Sequence, residues 1–447
     1  TPLRSSRLLG GCPVSDGQRS GDCFVVEGRR PISGTIAPAG NKNEALPVLT
    51  ATLLSPGETL LSNVPCIRDV FTLLELLADL GVRASPLESG SPLRIDTSEL
   101  APRRPNSELG RIIRGSLLVA PGLLHRHGRA ILPRPGGDRI GRRRVDTHLH
   151  ALRLRGAGVE TRERHYHLPL QGRFRGTDIF FDEASVMATE NALMAAAVAE
   201  GHTRIANAAS EPHVQGLCRF LNAMGGRISG VGTNMLEVDG VPELHPADHR
   251  IGPDHIEIGS LLAIAAMSGG ELRITGVNPD DLRMILMVFS RLGVEARIEG
   301  ADLWIPGKQE LVIQDDLDGA IPKVDDAPWP GFPTDLSSIA LVLATQARGT
   351  VLIHEKMFEN RLFFVDRLIA MGARAILCDP HRAVVTGPTR LPGETLTSPD
   401  IRAGMALLAA ALCAEGRSVI MNAHQVDRGY ERIDARLRDL GASITRT

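Results

Sequence analysis

The chain has 447 residues, of which 43% are hydrophobic and 23% charged, with a formal net charge of -2. That length exceeds one ordinary core, so two domains are expected, and the near balance of charge excludes the global basic field that draws a protein onto nucleic acid. Aromatic residues make up only 3% of the chain, which leaves little on which to stack bases.

Residues 1–22 mix Ser, Gly and Arg without periodicity and read as a flexible tail. From there one pattern recurs: a small-residue apolar helix, a Gly turn, a strand, a polar loop, a helix ending in Leu-Gly or Met-Gly, and a second strand. Six copies are present. The first runs from Ala45 through Gly57 to Ala84. The second joins GSLLVAPGLLHRHG and RAILP to a helix around Asp146 to Leu154, and the third joins LMAAAVAEGHTRIANAASEP to LCRFLNAMGGRI. The fourth contains SLLAIAAMSGGELRITGVNP, the fifth LVLATQARGTVLIHEKMFEN, and the sixth MALLAAALCAEGRSVIMNAHQVDRGYERIDARLRDLGASI. Three lie before Asp239 and three after it, which points to an α/β class with two similar domains joined near residues 240–255. In each copy the first helix is apolar on nearly every face and belongs inside its domain, whereas the second is amphipathic and belongs outside.

Between strand and second helix the loops carry the chemistry. PRPGGDRIGRRRVD, residues 133–146, sets glycines and a run of arginines around Asp138, as a loop would that lets backbone approach an anion closely beside an acid. A solvated basic loop has the same composition, but comparable residues stand at the other junctions: Lys42 in AGNKNEALP, Arg361 in MFENR and Arg428 in VDRGYER. Arg114 and Arg402 stand at helix starts, where unsatisfied N–H groups further favour anions, and FPTD adds the acid Asp335.

Other residue patterns exclude other classes. Cys12, Cys23, Cys66, Cys218, Cys378 and Cys413 form no CxxC or His-spaced pair and read as reduced thiols in a cytoplasmic protein. No apolar run nears the roughly 20 residues of a membrane span. The histidines of HRH, DTHLH and RHYH lack metal-ligand spacing, and GGDRIG lacks the strand-to-helix setting of a dinucleotide loop, so neither metal nor cofactor is expected.

The strings ISGTIAPAGNKNEALP, NVPCIRDV, LPRPGGDRIGRRRVDTH, SVMATEN, NAASEPHV, GFPTDL, MFENR, PDIRAG and VDRGYERI carry a resemblance. From about Val26 to Ser443 the chain is similar to the enolpyruvyl transferases that act on UDP-N-acetylglucosamine. The resemblance implies a two-domain inside-out α/β barrel of six βαβ-type repeats, three per domain, with the active site in the cleft between the domains. One domain is expected from residues 23–42 and 250–447, the other from 43–249 with the anion loop 133–146. The partners implied are phosphoenolpyruvate and a uridine nucleotide, with no nucleic acid, no membrane and no stated oligomeric state.

Residue roles follow from the resemblance alone. It gives Arg361, Arg402 and Arg428 to the phosphoenolpyruvate carboxylate, and Lys42, Arg143 and Arg428 to its phosphate, with Arg114 in support. Lys42 and Arg402 also count with the catalytic group. Asp335 is matched to the base that takes the acceptor hydroxyl proton and, with Asn43, to the amino sugar. Arg143, Arg144, Val145 and Asp146 match the uracil segment, Ser185 and Val186 the turn at the diphosphate, and Met357 of MFENR belongs with the nucleotide set. Asp138 stands where many members carry a general-acid cysteine, so an acid-shifted pH optimum and insensitivity to fosfomycin are expected. Members usually have proline at Arg144 and glycine at Met187. A mobile cation beside the base, and a side chain where backbone had approached phosphate, leave open UMP or another uridine nucleotide of specialised metabolism as the acceptor.

Overall fold

The computed structural model describes residues 22–138, 140–141 and 143–447. The tail expected over residues 1–22 lies outside the described residues except for Asp22. That residue is anchored, since its carboxylate accepts Arg446 Nε and Nη2, each at 2.8 Å.

Two compact units result, one from Gly40–Gly137 and Arg144–Gly252, the other from residues 22–39, Asp138–Arg143 and Pro253–Thr447. Each has its own hydrophobic core. The anion loop is therefore not a single piece. Its stem stays with the strand Arg129–Pro133, while Asp138–Arg143 packs with the second unit.

In the first unit the apolar helices Lys42–Ala51 and Val186–Ala197, with the turn-and-helix Arg114–Val119 and Ala120–His127, are buried along most of their length. The amphipathic helices Arg68–Asp79, Asp146–Leu154 and Pro212–Ala223 lie over them and bury one face. The second unit repeats this with buried helices His255–Ser268, Ser337–Gln346 and Ile401–Cys413, which all pack on one another, and amphipathic Pro279–Arg291, Val365–Ala370 and Ile433–Asp439. Apolar residues at every helical position leave no face for water, so such helices fold only where neighbours cover them all round. Strands such as Glu58–Ser62 and Arg417–Met421 alternate covered and open positions, as a sheet does with one face on helices and the other in solvent.

Six small sheets complete the described residues, three per unit, and they are not hydrogen-bonded into a closed barrel. Five share one plan: an edge strand parallel to its neighbour, then two antiparallel strands. Asp178–Phe180, helix Val186–Ala197 and His202–Ala206 form such a βαβ unit. The sixth sheet, built on Arg129–Pro133, lacks the parallel edge.

Three strands escape a reading in chain order. Gly34–Ile36 pairs with Leu272–Ile274, and His249–Arg250 pairs with Glu58–Ser62, so the stretches near the two chain crossings complete the first sheet of each unit. Cys23–Glu27 inserts between Arg417–Met421 and Ser443–Arg446, supplying the middle of the last sheet from the opposite end of the chain.

Candidate active site

In the second unit the chemistry gathers on the starts of buried helices and on the loops beside them. Asp335 lies in the turn Thr334–Leu336 that leads into helix Ser337–Gln346. Arg402 is the second residue of helix Ile401–Cys413, and its backbone N–H is capped by Asp400 Oδ1 at 2.8 Å. Arg361 follows the strand Gly349–His354.

These three meet. Arg361 Nη2 donates to Asp335 Oδ1 at 2.7 Å, while Arg402 Nε and Nη2 reach Oδ2 at 2.9 and 2.7 Å. Both guanidinium side chains are about 5% exposed or less, whereas that of Asp335 is 22% exposed. The acid is therefore the open side of the cluster. Arg361 Nε and Arg402 Nη1 are buried without a hydrogen-bond acceptor. Burial opposes the charge on Arg402, but Asp335, Tyr430 and Asp254 outweigh it and hold the guanidinium above its ordinary value. Arg402 lies 5.5 Å from the Tyr430 ring centroid, and the phenol meets Ser260 Oγ at 3.0 Å. His255 beside them is driven down to about 4 by burial, so it is a neutral ring, packed edge-on against Trp329.

Asp138–Arg143 brings the rest. Arg428, closing the turn Ala423–Arg428, hydrogen-bonds Asp138, and it also meets Gln425 Oε1 at 3.3 Å. Arg143 is half-buried, and burial lowers its guanidinium from the usual value; Asp138 and Asp335 pull it upward while Arg361 and Arg428 push it down. Asp138, Arg143, Asp335, Arg361, Arg402 and Arg428 thus belong to one charged cluster. Asn360 N–H donates to the Ile140 carbonyl at 3.0 Å, which docks the loop tip beside Arg361. The loop glycines serve this docking. A Cβ on Gly136 would stand 1.7 Å from the Arg111 carbonyl, and Gly141, at φ +128°, would meet Glu359. The close approach is to backbone at Gly136 and first to the Glu359 carboxylate at Gly141.

The first unit holds the other assigned residues. Lys42 is the first residue of its helix, capped by Asn41 Oδ1, which accepts from Asn43 N at 2.8 Å. Lys42 is buried, and its Nζ sits 2.7 Å from Asp69 Oδ2. Asp69 lies in the quoted string NVPCIRDV but received no role from sequence; the buried lysine requires it. Arg114 donates through Nη2 to the Arg144 carbonyl, fixing the far end of the loop. Arg144 is not the mobile cation expected of it. It joins Asp146 Oδ2 at 3.2 Å and Asp182 Oδ2 at 3.0 Å, because both acids stand within reach of the extended side chain. Val145 precedes the helix that Asp146 opens. Ser185 and Val186 start helix Val186–Ala197, where the Ser185 hydroxyl makes no capping bond, and Met187 packs against the core of its unit. Met357 is half-buried just after Glu355 in the second unit.

The chemistry also does not sit only between strand and second helix. Lys42, Asp335, Arg402 and Arg114 all stand at starts of the buried first helices or helical turns, where the backbone dipole adds to a cationic site. Among the described residues no disulfide forms, no group of three or more His, Cys, Asp or Glu is placed to hold a metal ion, and no helix is long and apolar enough to cross a membrane.

Comparison with known proteins completes the picture. A family model described as EPSP synthase (3-phosphoshikimate 1-carboxyvinyltransferase) matches residues 26–437. The UDP-N-acetylglucosamine 1-carboxyvinyltransferase of Treponema denticola is 52% identical over 421 residues, spanning 94% of this chain and 98% of the relative. Its counterpart from Bradyrhizobium diazoefficiens is 53% identical over 424 residues, spanning 95% and 97%. Among solved structures, the enolpyruvyl transferase NikO from Streptomyces tendae superposes with a TM-score of 0.84 at 25% identity, covering 96% of this chain and 99% of that one. An EPSP synthase from Acinetobacter baumannii, at 18% identity and a TM-score of 0.73, shares the fold over 95% of this chain and 100% of its own.

Proposed function

We propose, from the premise that this chain belongs to the EPSP synthase (3-phosphoshikimate 1-carboxyvinyltransferase) family, that it transfers the enolpyruvyl group of phosphoenolpyruvate to a hydroxyl of UDP-N-acetylglucosamine and releases phosphate. The observation that carries the reading is the carboxylate of Asp335 held between two buried arginines with its open side to solvent. An incoming carboxylate competes with Asp335 for Arg361 and Arg402, and the exchange gives the substrate permanent cations while relieving Asp335 of its pairing.

The acceptor oxygen then adds to C2 of phosphoenolpyruvate as C3 takes a proton. Asp335 receives the hydroxyl proton and Asp138 supplies the one for C3. The tetrahedral adduct loses phosphate from C2 and the proton from C3, which restores the vinyl group on the acceptor. Lys42, Arg143 and Arg428, with Arg114 behind the loop, take the phosphate, for which Asp138 competes at Arg428. Asn43 belongs with the amino sugar, Arg143 to Asp146 with uracil, Ser185 and Val186 with the diphosphate, and Met357 with the nucleotide. The relatives at about half identity over nearly full length favour the amino-sugar nucleotide over UMP, and neither departure argues against it, since Arg144 is engaged by two acids and Met187 by the core. The product is a peptidoglycan precursor, made in the cytoplasm where phosphoenolpyruvate is formed.

Asp335→Asn tests the assignment. The amide keeps the shape of the turn but takes up a proton poorly, so kcat falls by about 10²-fold or more while phosphoenolpyruvate still binds. An Asp335→Asn protein that turns over at the wild-type rate would refute the role of the cluster.

A further inference from the structure

A second pair of acids lies beneath the Asp335 turn, and its meaning rests on the transferase reading of that turn. Asp326 follows the strand Lys323–Asp325, and Glu355 follows its parallel neighbour Gly349–His354. The register pairs Asp325 with His354 and so brings the next two side chains to the same edge. Both are buried, Asp326 at 1% exposure and Glu355 at 0%. Asp326 Oδ2 and Glu355 Oε2 are buried and meet no hydrogen-bond donor. Two adjacent buried carboxylates disfavour both being ionised, and a proton on one of them removes the repulsion.

The remaining oxygens are committed. Asp326 Oδ1 accepts the Lys356 backbone N–H. Glu355 Oε1 accepts the Thr334 hydroxyl at 2.8 Å and the Phe358 N–H at 3.2 Å. Thr334 immediately precedes Asp335, and Phe358 stands in the segment that ends in Arg361, whose guanidinium lies 5.6 Å from the Phe358 ring centroid. One carboxyl group therefore ties down both sides of the Asp335–Arg361 contact.

We propose that Asp326 and Glu355 share one proton near neutral pH, and that this protonated pair makes Glu355 a positioning residue that holds Asp335 against Arg361. Burial first, and then Asp326, lift the Glu355 carboxyl to about 8, against the pull of Arg361 and Thr334. The other charged group nearby, Lys356, points its ammonium to Asp325 at 2.7 Å, and His381 Nδ1 meets the Glu355 backbone carbonyl at 2.7 Å. Loss of the proton sets two buried carboxylates against each other, and the turn bonded to Oε1 moves with them. The folded-state value lies above the ordinary 4.5, so the folded chain holds a proton that the unfolded chain releases. The associated stability is full below 4.5 and is lost as the pH rises from there through about 8.

The test uses the whole chain as wild type, Glu355→Gln, Glu355→Ala and Asp326→Asn. Glu355→Gln keeps a donor toward Asp326 and an acceptor toward Thr334, so kcat near neutral pH stays within about threefold of wild type, whereas Glu355→Ala loses about tenfold or more. The ratio of the Glu355→Gln rate to the wild-type rate rises with pH through about 8. Carbon-13 NMR of labelled carboxyl groups reads the proton directly. One resonance, absent from Glu355→Gln, titrates near 8 and moves to lower pH in Asp326→Asn. A flat rate ratio, or a Glu355 carboxyl that titrates near 4.5, overturns the proposal. Titration near 8 in a chain that transfers no enolpyruvyl group upholds the shared proton and overturns the transferase reading instead.

Discussion

Asp335 sits where two guanidinium groups must be neutralised, and Arg402 shows how exacting the match is. Its fork gives Nε and Nη2 to one carboxylate oxygen while its plane lies near Tyr430. A lysine offers one compact ammonium in that space. Arg402→Lys is therefore expected to lower kcat/KM for phosphoenolpyruvate by about 10²-fold, a loss of about 3 kcal/mol, in steady-state kinetics on protein whose circular dichroism is unchanged. At Asp138 the side chain bears on reactivity more than on affinity. The wild-type chain offers fosfomycin no thiolate at this loop and retains full activity, while Asp138→Cys becomes covalently labelled, as mass spectrometry of the loop peptide would show; labelling of the wild-type loop would contradict the assignment. Asp335, Arg361, Arg402 and Arg428 could be singled out in the sequence because each stands in a short motif of its own, and they meet in one charged cluster. Asp69, Tyr430, Asp326 and Glu355 could not be. Their contacts come from partners brought near by strand register and helix packing, which no local string records.

At the scale of elements, the apolar helices and their amphipathic partners could be read from periodicity, down to the helix Asp146–Leu154. Their starts could not be weighed in the same way, because a capped first turn inside a core presents charge only once its neighbours are in place. The anion loop is the sharper lesson. Its composition announced a charged turn, yet its glycines answer to the Arg111 carbonyl and to Glu359. Gly136→Ala is expected to displace the loop from Arg111 and to reduce kcat/KM by about tenfold or more, while the melting temperature falls by only a few degrees. An unchanged kcat/KM would show that the loop's position does not matter to catalysis.

For the whole molecule, six repeats read in chain order suggested two domains of three, but contiguous repeats do not supply every strand. Gly34–Ile36, His249–Arg250 and Cys23–Glu27 complete sheets whose other strands lie far off in sequence, and short strands without a periodic signature gave no warning of it. Phe24, fully buried in the strand that fills the last sheet and stacked under Arg446 at 5.4 Å, tests the consequence. Phe24→Ala should cost about 3–5 kcal/mol in urea unfolding, although it lies at the very edge of the described chain. The function of the whole rests on which hydroxyl receives the enolpyruvyl group. The most direct measurement is phosphate release from phosphoenolpyruvate with UDP-N-acetylglucosamine, UMP or shikimate 3-phosphate offered separately, each product identified by mass spectrometry. A carboxyvinyl ether of the amino-sugar nucleotide is expected, with kcat/KM at least about 10²-fold above that for either alternative; equal or faster turnover of UMP or shikimate 3-phosphate, or no phosphate release at all, would contradict this assignment.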